Sequence, residues 1–246
     1  MEPVREFHEQ LPSTQARALE LARAGAPAGT RVVARRQSSG RGRADHSWLS
    51  PPGGLYLSVL VPIAEGEPAL LPLAVGARLA DELERRWAVR CALKWPNDLL
   101  IESPHGRARK LSGILVDAIA PAPVVPLGVV GIGVNVVAPR GGFPPGLPTP
   151  PVALSELVHP CPSLEEVEAV AVASAVGAAG ELARPDAAAR VLARCRSRLY
   201  GVGRRAVVDG SIVGTISSLA EDGSLVLDVD GTRVPVRAGD LSVEAA

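Results

Sequence analysis

Beyond Gly203 the chain changes character, and the change limits the folds open to it. Three Asp-Gly pairs, Asp209-Gly210, Asp222-Gly223 and Asp230-Gly231, separate short alternating runs such as Ser224-Leu225-Val226-Leu227-Asp228-Val229. Asp-Gly between alternating runs supplies the positive-φ positions of a tight hairpin, so this stretch reads as a small β-barrel. A unit of that size is short for independent stability and is expected to lean on the longer part before it. The expected domains are therefore 1–200 and 201–246.

The longer part mixes helices and strands. Ser13 is placed to N-cap a helix to about Ala24, with Gly25 as its stop. Leu73, Ala77, Ala80, Leu83 and Trp87 recur at steps of three and four, which predicts a one-sided helix over 67–87. Ser163 with Glu166 forms a capping box for a helix to about Leu182, and another helix fits 186–199. Strands are expected over 30–36, 55–61, 89–94, 99–102, 111–119 and 124–137, with loops at 37–50 and 139–151. The fold class is α/β (α+β).

Composition excludes several classes. With 47% hydrophobic and 21% charged residues the chain can close a core and is not disordered. Lys+Arg and Asp+Glu balance at 26 each, so nothing draws the whole molecule to nucleic acid or anionic lipid. Three cysteines, Cys91, Cys161 and Cys195, form neither a CxxC pair nor a disulfide framework, and the four histidines show no ligand spacing. The charged N-terminus is unlike a signal peptide, and the apolar region 118–138 carries Pro121, Pro123 and Pro126, so it reads as buried strands. A cytoplasmic protein with no membrane or DNA partner is the expectation.

Scarcity then marks candidate sites. Of the 26 basic residues only Lys94 and Lys110 are lysines, and Asn97 and Asn135 are the only asparagines. Where arginine is the habitual cation, a retained lysine points to a place that needs a compact ammonium. All four lie in short motifs. Lys94-Trp95-Pro96-Asn97-Asp98 gathers an ammonium, an aromatic face and a carboxylate at a strand end, although Pro-Asn-Asp is equally good turn chemistry. Lys110-Leu111-Ser112-Gly113-Ile114-Leu115 sets an ammonium at the mouth of an apolar strand. There, near an effective dielectric of 20, an anion about 4 Å away gains roughly 4 kcal/mol. Gly131-Ile132-Gly133-Val134-Asn135 clears alternate positions of a strand, leaving room for a flat ligand or another backbone. The remaining motif, Gln37-Ser38-Ser39-Gly40-Arg41-Gly42-Arg43 closing on Trp48, combines close backbone approach with two forked donors, and alone it is equally a solvated turn.

In this order and spacing the four motifs, with Ser13-Thr14-Gln15 ahead of them, resemble the biotin protein ligases, also called biotin-[acetyl-CoA-carboxylase] ligases. The likeness extends to Gly214, Asp222-Gly223 and Gly239-Asp240-Leu241-Ser242 near the end. It implies a mixed-sheet catalytic domain of the biotin/lipoate ligase type with an SH3-like barrel. It also implies a two-step reaction in which biotin and Mg-ATP give biotinyl-5'-AMP, which acylates a lysine of a biotin carboxyl carrier domain of an acyl-CoA carboxylase. By resemblance, Ser13, Thr14, Gln15, Gln37, Gly40, Arg41, Gly42, Arg43, Lys110, Gly113 and Gly133 bind biotin. Arg41, Arg43, Trp48, Lys94, Asn97, Asp98, Lys110 and Asn135 bind ATP. Lys110, Arg43, Asp98 and Lys94 are the catalytic set, with Asp98 also meeting the magnesium that accompanies ATP. No tightly bound metal is expected, the cysteines are spectators, and a homodimer is left open.

Departures from the family pattern are Gln15 for asparagine, Ala44-Asp45-His46 where a further Arg-Gly-Arg is common, and Gly54 near a usual asparagine. A winged-helix DNA-binding domain needs about 60 residues ahead of Ser13, so a monofunctional ligase is expected. The alternatives are a lipoate or octanoate ligase or transferase, and a non-catalytic biotin or nucleotide sensor.

Overall fold

The computed structural model describes residues 2–44, 46–63, 69–103, 106–119 and 126–244. A seven-stranded mixed sheet has the order β1-β2-β3-β7-β6-β5-β4. Its strands are β1 (Arg5–His8), β2 (Arg31–Ala34), β3 (Gly54–Pro62), β4 (Ala92–Lys94), β5 (Asp98–Ser103), β6 (Gly106–Ile119) and β7 (Leu127–Asn135). Only the β1–β2 pair is parallel.

Alternation sorts the side chains of the central strands onto two faces. Leu55, Leu57 and Val59 of β3 and Val130, Ile132 and Val134 of β7 all turn into the main core. That core is closed by helices α2 (Leu70–Trp87) and α3 (Leu164–Leu182). Helix α1 (Thr14–Arg23) packs on the opposite face over Val32, Leu60 and Val129. Each such buried side chain contributes roughly 1.5–3 kcal/mol by leaving water. Helix starts follow the sequence: Ser13 Oγ accepts from Ala16 N, and Ser163 and Glu166 form the reciprocal capping box. Helix α4 (Ala187–Ser197) completes the body.

The C-terminal strands β8 (Arg205–Val208), β9 (Ile212–Leu219), β10 (Leu225–Val229), β11 (Thr232–Val236) and β12 (Leu241–Val243) form an antiparallel SH3-like sheet, order β11-β10-β9-β8-β12. Asp209-Gly210 and Asp230-Gly231 have positive φ at both residues, as a primed hairpin turn requires. At Asp222-Gly223 only the glycine does, and the β9–β10 connection is correspondingly longer. This sheet leans on the body as its size demands. Ile216, Leu219, Leu225 and Leu227 share the main core, and Trp95 Nε1 donates to Gly223 O at 3.1 Å.

Some expectations shift. Strand 30–36 shortens to Arg31–Ala34, 89–94 to Ala92–Lys94, and 111–119 lengthens to Gly106–Ile119. Positions 124–125 of the expected strand 124–137, Glu67 at the head of the expected helix, and Pro121 and Pro123 lie outside the described residues. So do Met1 and 245–246 at the ends of the two expected domains. Strand β1 escaped sequence reading because Arg-Glu-Phe-His has no apolar alternation. Main-chain bonds hold it instead, Arg31 N to Val4 O at 2.8 Å and Arg35 N to His8 O at 2.9 Å. No helix among the described residues is long and apolar enough to cross a membrane.

Candidate active site

The face of the sheet opposite α2 and α3 is emptied by glycine. Gly113 of β6 pairs in register with Gly133 of β7, and the Trp48 indole lies over both. A Cβ at Gly133 would meet Trp48 Nε1 at 2.6 Å, and one at Gly113 would meet Trp48 Cζ3 at 2.8 Å. Two strands, a loop and an aromatic plane can stack this closely only because neither glycine carries a side chain. Trp48 Nε1 is buried there with no acceptor among the described residues.

Lys110 joins that face through a register fault. Leu99 pairs with Ser112 but Leu100 pairs with Lys110, so Leu111 is an extra residue in β6. Strict alternation would put Lys110 and Gly113 on opposite faces. The bulge turns them to the same side, with Lys110 Cε 3.4 Å from where a Gly113 Cβ would stand. Lys110 Nζ then sits 2.8 Å from Asp98 Oδ1 and 5.0 Å from the centre of the Trp48 ring. The two asparagines build this corner. Asn135 Nδ2 donates to Lys110 O at 3.2 Å, and Asn97 Nδ2 to Ile114 O at 2.6 Å. Lys94 stands beside them. Burial draws its pKa below the ordinary lysine range, an effect that Asp98 opposes and the like charge of Lys110 adds to.

At the other end of the face, a half-buried polar chain runs from α1 to the arginine loop. Gln37 Oε1 accepts from Thr14 N at 2.7 Å and from Thr14 Oγ1 at 3.1 Å, while Gln37 Nε2 donates to Ser50 Oγ at 2.8 Å. Ser50 Oγ in turn donates to Trp48 O at 3.0 Å. The loop is tied to the C-terminal sheet as well, by Arg43 Nη1 on Gly239 O at 3.5 Å and by His46 Nε2 at 3.2 Å from Asp240 Oδ2. Its Asp45 lies outside the described residues.

Every expected site residue except Gly40 lines one cavity of about 1190 Å³. Gly40 lies beneath the loop: a Cβ there would press on Trp48 O and come within 2.7 Å of Ser50 Oγ. That glycine serves the loop's own packing. Gln15 lines the cavity, but its amide is turned to the protein, Nε2 donating to Asp117 Oδ2 and Val129 O at 3.0 Å each and Oε1 lying 2.9 Å from Ser58 Oγ. Gly54 also has a local reason, since a Cβ there would collide with the Tyr56 ring. Sequence reading missed Ser58, whose signal was a small hydroxyl inside an apolar strand, and gave no site role to the lining stretch Asp240–Val243, although Asp240-Leu241-Ser242 matched the family pattern. None of the three thiols lines the cavity. Cys91 and Cys195 are buried, with pKa values pushed up to about 12, and Cys161 is raised by burial too.

Comparison with known proteins gives the family. Residues 7–135, more than half of the chain, match the model of the biotin/lipoate A/B protein ligase family. The chain belongs to that family. Among family relatives, the biotin--[acetyl-CoA-carboxylase] ligase of Mycobacterium tuberculosis is 32% identical over 251 aligned positions, covering 94% of this chain and 86% of that protein. The bifunctional ligase/repressor BirA of Bacillus subtilis is 36% identical over 155 residues, 61% of this chain. The chain spans about half the length of that relative, 46%. In three dimensions it is similar to the family's biotin protein ligase from Aquifex aeolicus solved with biotin and ATP, with a TM-score of 0.80, 25% identity and full coverage of both chains.

Proposed function

We propose that this chain is a biotin protein ligase. It joins biotin to ATP as biotinyl-5'-AMP, releasing pyrophosphate, and passes the biotinyl group to a lysine of a biotin carboxyl carrier domain. The observation that carries this reading is the cleared face of Gly113 and Gly133 with Lys110 brought beside it by the Leu111 bulge. Both partners in the first step are anions, and their approach needs fixed cations where charge gathers. Lys110 sits at the junction, and Arg41 and Arg43 on the loop face the same cavity. In this reading Ser13, Thr14, Gln37 and the backbone at Gly42 hold the ring end of biotin, and Gln15 supports them from behind. Lys94, Asn97 and Asn135 line the nucleotide side, and Trp48 covers the apolar middle.

Carboxylate attack on the α-phosphate makes a P–O bond and breaks the one to pyrophosphate. The carrier amine then displaces AMP from the mixed anhydride, so no enzyme nucleophile is needed. Asp98, which pairs with Lys110, would be the carboxylate to hold the magnesium that accompanies ATP, and that ion would supply charge at the phosphates. Among the described residues no cluster of three or more His, Cys, Asp or Glu side chains stands as a separate metal site. We assign the chemistry to 1–200 and closure of the arginine loop to 201–246, in the cytoplasm. Every residue named comes from one chain, and no DNA contact is part of the reading.

Pyrophosphate exchange with ATP, run side by side on biotin, lipoate and octanoate, tests the assignment. Exchange with biotin and subsequent labelling of a carrier domain are expected. Exchange only with lipoate or octanoate would move the chain to the sister activity, and tight biotin binding with no turnover would make it a sensor.

A further inference from the structure

Asp117 stands near the end of β6, outside the set of residues that line the cavity. Its Oδ2 nevertheless touches two elements that do. It accepts from Gln15 Nε2 at 3.0 Å, and Arg41 Nη1 lies 3.9 Å away. Gln15 has no freedom left: its second N–H is held by Val129 O, its Oε1 by Ser58 Oγ, and a Cβ on Gly131 would stand 2.5 Å from that Oε1. Gln15 is 3% exposed, so any rotation would strand buried polar groups. Arg41 opens the short bridge to Ser47 that brings the loop back to Trp48. One carboxylate oxygen therefore ties the first turn of α1 to the arginine loop.

We infer that Asp117 is a positioning residue for the proposed ligase reaction: held by Gln15, its carboxylate tethers Arg41 and sets how the arginine loop closes over the biotin end of the cavity. The inference rests on the ligase reading, and it explains the Gln15 departure. The reach between α1 and β6 is divided between a long amide and a short carboxylate. Exchanging the lengths, Gln15→Asn with Asp117→Glu, keeps the summed number of methylenes and so restores the reach that Gln15→Asn alone loses. Asp117→Asn keeps an acceptor for Gln15 but removes the charge that faces Arg41.

Two readouts test this on the full chain. In limited trypsin digestion without substrate, Asp117→Asn is expected to be cut after Arg41 and Arg43 about three to five times faster than the wild type, because cleavage follows the population of the open loop. In biotin-dependent pyrophosphate exchange, its KM for biotin rises about three- to fivefold with kcat within about twofold, as loss of a part-exposed ion pair made before the chemical step predicts. Gln15→Asn alone moves the same way, and the exchanged pair recovers at least half of that rise. Unchanged digestion and KM in Asp117→Asn overturn the proposal, as does a double variant no better than its parents. If Asp117→Asn does not fold, the exchanged pair decides on its own by those limits. If the wild type shows no exchange with biotin, the ligase reading fails while the digestion result still settles whether Asp117 tethers the loop.

Discussion

Along β7, Val130, Ile132 and Val134 point to α2 and α3, whereas Val129, Gly131, Gly133 and Asn135 point the other way. The two faces of one strand thus follow opposite rules. On the first, volume is filled and each residue stabilises by leaving water. On the second, volume is withheld, and Trp48, Gln15 and the cavity occupy the space the glycines leave. Alternation lets a single run of nine residues serve both ends without compromise, since a change on one face leaves the other in place.

The largest expected effect lies on the cleared face. Lys110→Ala should lower biotin-dependent pyrophosphate exchange by at least about a hundredfold, the usual cost of removing a fixed charge donor. Its melting temperature should stay within a few degrees, because Lys110 is at a rim. Exchange at the wild-type rate would remove it from the site. Next, the two faces can be set against each other. Val134→Ala, at a fully buried core position outside the cavity lining, should destabilise by about 1.5–3 kcal/mol in denaturant titrations while KM for biotin per folded molecule holds. Gly133→Val should weigh on the other side, raising KM at least about tenfold as the new methyls push Trp48 aside, with a stability cost of about 1–3 kcal/mol. If Gly133→Val unfolds the protein while activity per folded molecule survives, the faces are not separable in the way described.

The smallest effect belongs to the sheet edge, which neither face controls. Arg17 holds the Glu6 carboxyl down at about 2, and Arg5 and then Arg31 lower that of Glu168 on α3. A carboxyl whose folded pKa is depressed gives stability that is complete above its unfolded value, near 4.3, and is lost as pH falls toward the folded one. Stability should therefore decline between about pH 4.5 and 2, with the Glu6 share below about 1 kcal/mol after solvent screening. Glu6→Gln should flatten that part of the pH profile, and an unaltered slope would contradict the pairing.

Much of this was legible in the letters because each signal is local. Ser13 and Ser163 announce their helices by cap chemistry, the Asp-Gly pairs announce their hairpins, and the scarcity of lysine points to Lys110 before any fold is known. What stayed hidden depends on pairing across the chain. The Leu111 bulge is a mismatch between β5 and β6 and leaves no mark in β6 alone. Asp117 matters through Gln15, 102 positions away. Gly40, read as a ligand contact, shows that a glycine in a binding motif can be required by its own loop. Strand β1 is fixed by main-chain bonds to β2, about which its side chains say nothing.

A crystal structure of the protein grown with biotin and ATP bears most directly on the central claim. The account predicts the biotin rings against the strand face at Gly131 and Gly133, with Lys110 Nζ in hydrogen-bonding distance of the carboxylate or the α-phosphate. Biotin bound elsewhere, with Lys110 still held only by Asp98 and turned away from the ligand, would contradict it.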